Sequence, residues 1–281
     1  MNFKRIEVLL FILIFSIISC STISSKQQEQ PQLGNEIVNS DFDFLFDSAQ
    51  VKGSILIYDL VEDTYFSNDF DWNPKGNLPA STFKITNSII ALETGVVEND
   101  SSLFKWDSLP RRMKIWEQDL LFRDAFHFSC VPCYQELARK IGTERMISYL
   151  AKLNYGNMEL DANTLDIFWL EGESKITQKQ QIDFLKRFYQ AELQISKSTE
   201  EIMKRMMLIE ETEAYKLSGK TGWSIRNGNN NGWFVGYLET KNKTFFFAVN
   251  VEPTEDFNMK LFSVIRKDIA YKAFQKMAII N

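Results

Sequence analysis

Histidine is nearly missing: the 281 residues contain one, His127. Zinc hydrolases need two or three imidazoles and are excluded, and a Ser-His-Asp or Cys-His hydrolase would have a single candidate base. Any hydrolytic chemistry is therefore expected to take its base from lysine or a carboxylate, with His127 a structural side chain. Cysteine is almost as scarce, and three residues cannot build a disulfide framework. After residue 20 no apolar run is long enough to cross a bilayer, which excludes a polytopic membrane protein. Charge of one sign is lacking too. The 32 basic and 37 acidic residues leave a net charge of −5, spread along the chain, so no field attracts a polyanion and nucleic acid is not an expected partner.

What is present is apolar and aromatic. Hydrophobic residues make up 44% and aromatics 14% of the chain, enough to fill a core without disulfide or metal staples. Residues 1–20 have the anatomy of an export signal: Lys4 and Arg5, an apolar run from Val8 to Ile18, then Ser19-Cys20. At 1.5 Å per residue that run rises roughly 16 Å, about half a bilayer core. Ile17-Ile18-Ser19-Cys20 also resembles a bacterial lipoprotein cleavage box, in which Cys20 would be lipidated and anchor the chain. Ordinary signal cleavage, with Cys20 discarded or left free, is the alternative. Residues 21–36 are polar and suit a flexible tether, and folding is expected from about Ile37.

Alternation in Gly53–Tyr58 and Thr64–Phe66 predicts two strands of a hairpin. Residues 81–94 read as a buried helix stopped at Gly95. The middle is helical: Pro132 opens a helix to about Ile141, Thr143 starts another, and Thr177-x-x-Gln180 and Ser198-x-x-Glu201 form capping boxes for two more. Strands return at 215–221, 233–239 and 244–251, the last two joined by a turn at 240–243, and a helix covers about 259–277. Strands at both ends with helices between them predict an α+β fold. One antiparallel sheet is built from both chain ends and flanked by helices, with an all-helical subregion beside it and the site in the cleft between them. Residues 37–281 are expected to form that one domain.

Three short motifs stand in order: Ser81-Thr82-Phe83-Lys84, Ser129-Cys130-Val131 and Lys220-Thr221-Gly222. A second Ser-x-x-Lys, Ser102 to Lys105, lies in a stretch without helical periodicity. The Ser81 copy follows Pro79-Ala80 and opens an apolar helix, so Lys84 stands one turn on, over the same face as the hydroxyl. A serine nucleophile needs a base within hydrogen-bond reach. Lysine, with an ordinary pKa near ~10.4, can serve only if burial lowers that value by several units. The Lys220 motif supplies a cation, a hydroxyl and a glycine that lets a ligand approach an edge strand.

These motifs, with Tyr155-Gly156-Asn157, Phe168-Trp169-Leu170 and Trp223, resemble the ordered motifs of the class D serine β-lactamases, the oxacillinase type, from about residue 45 to 275. Ser-x-Val and Tyr-Gly-Asn point to class D rather than class A. The resemblance implies a serine β-lactamase/transpeptidase-like fold and hydrolysis of penicillin-type antibiotics in the periplasm. Ser81 would be the nucleophile and Lys84 the base, after its amine takes up carbon dioxide as a carbamate. Ser129 would relay a proton, Val131 would keep the modified lysine dry, and Trp169 would donate its indole N–H to it. Backbone N–H groups of Ser81 and Trp223 would form the oxyanion hole. Lys220, Thr221, Gly222 and Arg266 would hold the substrate. No separate cofactor and no metal are implied. Small-molecule β-lactams are the partners, with side chains near Trp106, Met113 and Ile225 shaping which are accepted.

Three other readings compete. Cys130-Val131-Pro132-Cys133 overlays a Cys-x-Pro-Cys redox motif on the second motif. Phe122 to Phe128 carries Arg123, Asp124 and His127 and so is not the buried strand a thioredoxin needs; two buried thiols at a helix start are expected instead. A penicillin-binding transpeptidase or carboxypeptidase would share the acylation machinery, and a β-lactam sensor would acylate and stay acylated.

Overall fold

The computed structural model describes residues 35–281. The expectations for the export signal, Cys20 and the tether lie outside the described residues, apart from Asn35 and Glu36, which belong to the first strand. In chain order the strands are β1 (Asn35–Val38), β2 (Val51–Asp59), β3 (Thr64–Ser67), β4 (Leu103–Phe104), β5 (Leu120–Leu121), β6 (Leu208–Glu211), β7 (Tyr215–Arg226), β8 (Asn229–Thr240) and β9 (Thr244–Pro253). The helices are α1 (Asp43–Ser48), α2 (Lys84–Glu93), α3 (Phe122–His127), α4 (Val131–Ile141), α5 (Thr143–Leu153), α6 (Gln178–Tyr189), α7 (Lys197–Met207) and α8 (Phe262–Lys276).

Seven strands form one sheet in the order β1-β3-β2-β9-β8-β7-β6, while β4 and β5 make a separate short ladder. The two chain ends meet at its centre, where β2 pairs antiparallel with β9 from Val51↔Pro253 to Asp59↔Phe245. The expected α+β architecture is observed, with one exception at the edge: β1 runs parallel to β3. The pleat sorts side chains to two cores. Leu56, Tyr58, Phe246 and Ala248 face the helical subregion of α2 and α4 to α7, while Ile55, Ile57, Phe247 and Val249 face α1 and α8. Because both faces are covered, Phe245-Phe246-Phe247 is buried throughout, and each such side chain contributes about 2–3 kcal/mol over an exposed one.

Local chemistry explains the boundaries. The box at α6 has both of its bonds, Thr177 capping Gln180 N and the Gln180 side chain accepting from Thr177 N. For α7 the expected start is corrected: the cap is Ser196, not Ser198, because the Ser196 hydroxyl accepts from Thr199 N while its own N–H donates to Glu93. β7 and β8 are longer than their apolar cores suggest. They continue to a tight turn at Asn227-Gly228, where both residues have positive φ, the conformation that favours Asn-Gly. β6 was not foreseen; it pairs with β7 only from Lys216 to Ser218.

That short partner positions the site. Beyond Ser218 the outer edge of β7 has no strand beside it among the described residues, and a 3-10 turn, Ala80–Phe83, packs against the face of β7 at Gly222.

Candidate active site

The Ala80–Phe83 turn feeds directly into α2. A 3-10 turn stacks residue i over i+3, so Ser81 and Lys84 align more closely than α-helical spacing alone would give. Lys84 Nζ donates to Ser81 Oγ at 3.1 Å. The turn is held from several sides. Ala80, at a φ of 49°, donates its N–H to the Trp169 carbonyl at 2.8 Å, Thr82 Oγ1 donates to the Pro79 carbonyl, and Gln181 donates to Thr82 Oγ1. A left-handed alanine costs about 1–2 kcal/mol, a cost the surrounding bonds offset.

Lys84 is wholly buried, with its ammonium position 4.8 Å from the centre of the Tyr134 ring. Burial pushes its pKa down to about 7. Part of the amine population in this site is therefore uncharged near neutral pH, the condition a lysine base requires. Tyr134 was missed at the sequence level. It lies on the buried face of α4, where an aromatic reads as ordinary core, and its hydroxyl is tied to Ser88 at 2.7 Å.

Lys220 arrives from the middle of β7 and donates to Ser129 Oγ at 2.5 Å and to the Thr221 carbonyl at 3.1 Å. Burial first, then the positive charges of Lys84, Arg266 and Lys267, hold Lys220 well below the usual lysine range. Ser129 itself has a φ of 52° in the turn between α3 and α4. Gly222 has a role the motif did not suggest. A Cβ there would stand 2.9 Å from the Pro79 carbonyl and 3.1 Å from Thr82 Cγ2, so the glycine lets β7 lie against the nucleophile turn. The Gly222 carbonyl accepts from Arg266 Nη1 at 2.8 Å, and Arg266 Nη2 reaches the Ser263 carbonyl at 3.3 Å. Arg266 is buried on α8, and burial lowers its pKa to about 10.

A cavity of about 770 Å³ joins these groups, with Ser81, Ser129, Val131, Thr221, Gly222, Trp223 and Arg266 in its lining. Met113 and Ile225 also line it, whereas Trp106 folds back to donate to the Leu109 carbonyl and takes no part. Another cavity, of about 810 Å³, lies among α7, β7 and β8 and contains none of the motif residues. Tyr155-Gly156-Asn157 is away from the cleft. Tyr155 packs on Phe83 and Phe184, and Asn157 pairs with Lys175, so this motif supports the floor beneath the site. His127 touches Phe126 edge-on, and burial with the charge of Lys220 lowers its pKa.

Two buried details bear on chemistry. Trp169 is fully buried, stacked on Phe83 at 5.3 Å, and its indole N–H has no hydrogen-bond partner among the described residues. Such a donor leaves an acceptor site to be filled. Cys130 and Cys133, expected as two thiols, are joined in a disulfide. Their places at the cap and first turn of α4 set the Cα atoms 5.4 Å apart, within bridging range. Both sulfurs are buried, which removes the exposed thiol that a thioredoxin-type role requires.

The family model of the penicillin binding protein transpeptidase domain matches residues 74–275. The chain is 37% identical to Beta-lactamase OXA-10 of Pseudomonas aeruginosa, over 88% of this chain and 92% of that one. It is 35% identical to Beta-lactamase OXA-48 of Klebsiella pneumoniae, over 92% and 93%. The crystal structure of the class D β-lactamase YbXI from Nostoc superposes with a TM-score of 0.82 at 41% identity, covering 87% of this chain and all of that one.

Proposed function

The chain belongs to the class D serine β-lactamases, and we propose that it opens the β-lactam ring of penicillin-type antibiotics through an acyl-enzyme on Ser81, conferring resistance. The observation that carries this reading is the 3.1 Å contact between Ser81 Oγ and a buried lysine whose pKa is about 7. The Lys84 side chain takes the Ser81 proton as Oγ attacks the lactam carbonyl. Backbone N–H groups of Ser81 and Trp223 receive the developing oxyanion, each donor worth about 10²–10³ in rate. The proton taken up by Lys84 is relayed through Ser129 Oγ, which Lys220 polarises, to the lactam nitrogen as the ring opens. Thr221, Lys220 and Arg266 fix the substrate carboxylate, with Arg266 oriented by the Gly222 and Ser263 carbonyls. Water then attacks the acyl carbonyl, and the Lys84 side chain accepts its proton and returns it to Ser81 Oγ as the acyl bond breaks.

Carbon dioxide fits this site as an addition to Lys84. The amine is dry and substantially neutral near pH 7, and the buried Trp169 indole N–H lacks an acceptor that an N-carboxylated lysine would supply. The added carboxylate would supply an anionic proton acceptor that stays unprotonated at neutral pH, where the amine is partly protonated. Val131, lining the cavity beside Ser129, shields this corner from bulk water.

Export to the periplasm and a lipid tether at Cys20 complete the proposal, supported by the Val8–Ile18 run and the Ile17–Cys20 box. The Cys130–Cys133 disulfide also suits an oxidising compartment. Nitrocefin turnover is the test. Many turnovers per molecule are expected, lost in Ser81→Ala together with the acyl adduct seen by intact mass. A single turnover would instead identify a penicillin-binding protein or a sensor.

A further inference from the structure

The cysteine pair is left unused by the mechanism, yet it stands inside the second motif. We propose that Cys130 and Cys133 are positioning residues: their disulfide holds Ser129 in the conformation that meets Lys220, and holds Tyr134 against Lys84. This inference rests on the hydrolytic reading above.

The turn between α3 and α4 consists of Phe128, Ser129 and Cys130. Ser129 lies there with a left-handed backbone, a conformation serine adopts only when neighbours impose it. On the upstream side the restraints are hydrogen bonds. Ser129 N donates to the Phe126 carbonyl, Cys130 N to the Ala125 carbonyl, and the Trp116 indole to the Phe128 carbonyl at 2.9 Å. Downstream, α4 starts without the hydroxyl or carboxylate cap that normally fixes a helix entry. Its cap residue is Cys130, whose sulfur accepts weakly from Cys133 N at 3.3 Å. Pro132 follows and cannot donate. The covalent link thus stands where a cap would, and it ties the residue that follows Ser129 to the first turn of α4, with Val131 inside the closed loop.

One residue beyond the bridge, Tyr134 covers the Lys84 amine, donates or accepts at Ser88, and receives Asn87 on its carbonyl at 3.3 Å. The bridge therefore lies between the two halves of the proton machinery, Ser129 with Lys220 on one side and Lys84 under Tyr134 on the other. Cys130 is fully buried and Cys133 only 9% exposed, which suits a fixed brace and leaves no surface for exchange with a partner thiol.

The experiment compares wild type, Cys130→Ala/Cys133→Ala and Cys130→Ser/Cys133→Ala for nitrocefin kcat, KM and Tm. Both variants are expected to lose at least about tenfold in kcat with KM changed less than about threefold, because Ser129 acts in the chemical step. The serine variant restores an ordinary cap, so it folds even if the alanine pair does not. Wild-type kcat in the serine variant would show that capping, not the cross-link, is what the site uses, and would overturn the proposal. A lower Tm with unchanged kcat in either variant would do the same. Should the wild type acylate without turnover, the hydrolytic reading fails, and the bridge is judged by the acylation rate of Ser81, where the same tenfold loss is expected.

Discussion

Lys220 Nζ and Ser129 Oγ meet at 2.5 Å across the cleft, 91 positions apart in the chain. This contact joins the sheet to the helical subregion at the site, and it makes the two motifs one proton path. Ser129→Ala should therefore lower kcat by about 10²-fold or more while the protein still unfolds cooperatively near the wild-type temperature. Steady-state kinetics with a penicillin, alongside a thermal scan, check both halves.

Lys84 should reveal itself in stability as well as rate. Its folded pKa of about 7 lies below the ordinary 10.5, so between those values the unfolded chain binds a proton that the folded chain does not. Stability then rises with pH across that window, and at pH 7 the buried amine costs on the order of 4 kcal/mol. With carbon dioxide excluded, so that Lys84 is the free amine, Lys84→Met should abolish turnover, raise Tm at neutral pH and flatten the rise between about pH 7 and pH 10.5. The acid limb of wild-type kcat should fall near pH 7. Thermal unfolding in a pH series and a pH–rate profile supply the readouts.

The unpartnered Trp169 indole predicts a dependence on bicarbonate. Trp169→Ala should lose activity that added bicarbonate recovers, whereas Lys84→Ala should accumulate acyl-enzyme whatever the bicarbonate level. Carbon-13 NMR of wild type equilibrated with labelled bicarbonate should show a carbamate resonance. Bicarbonate-independent turnover without that resonance would leave Lys84 acting as a plain amine.

Arg266 is anchored by two carbonyls, so a lysine in its place keeps the charge and loses the fork. Arg266→Ala should lower kcat/KM by about tenfold or more, chiefly through KM, and Arg266→Lys should recover only a minor part. Unchanged KM for a carboxylate-bearing penicillin would place substrate recognition elsewhere.

Gly222→Ala tests whether the glycine serves packing between β7 and the nucleophile turn. A methyl 2.9 Å from the Pro79 carbonyl must displace either the strand or Ser81. A loss of about 10²-fold in acylation rate is expected, since displacements near 1 Å at the reacting group have costs of that order. Stopped-flow acylation of the variant measures it.

Much of this site could be read from the sequence because its chemistry is carried by short local patterns. Ser81 and Lys84 are three apart on an amphipathic helix start, and the strand around Lys220 alternates visibly. The cleft between sheet and helices followed from strands at both ends. What could not be read depends on contacts between distant segments. Tyr134 reads as core until Lys84 is placed beneath it. The asparagines and glycines near 227–232 mask the extension of β7 and β8, although Asn227-Gly228 was a usable turn signal. β6 is half exposed and owes its existence to pairing. The disulfide was obscured because two cysteines at a helix start are equally compatible with thiols, and only the backbone geometry brings them to bridging distance.

The central pairing of β2 with β9 also governs how the enzyme comes into being. Val51 finds Pro253, and Asp59 finds Phe245, only when nearly the whole chain is present. Contacts so remote in sequence slow folding, because the long loop must be closed before its contacts contribute. Ser81, on the N-terminal side of that loop, has no β7 for its turn to pack against until the strands after residue 215 have paired. A chain truncated ahead of β9 should therefore be inactive even though it carries every motif from Ser81 to Trp223.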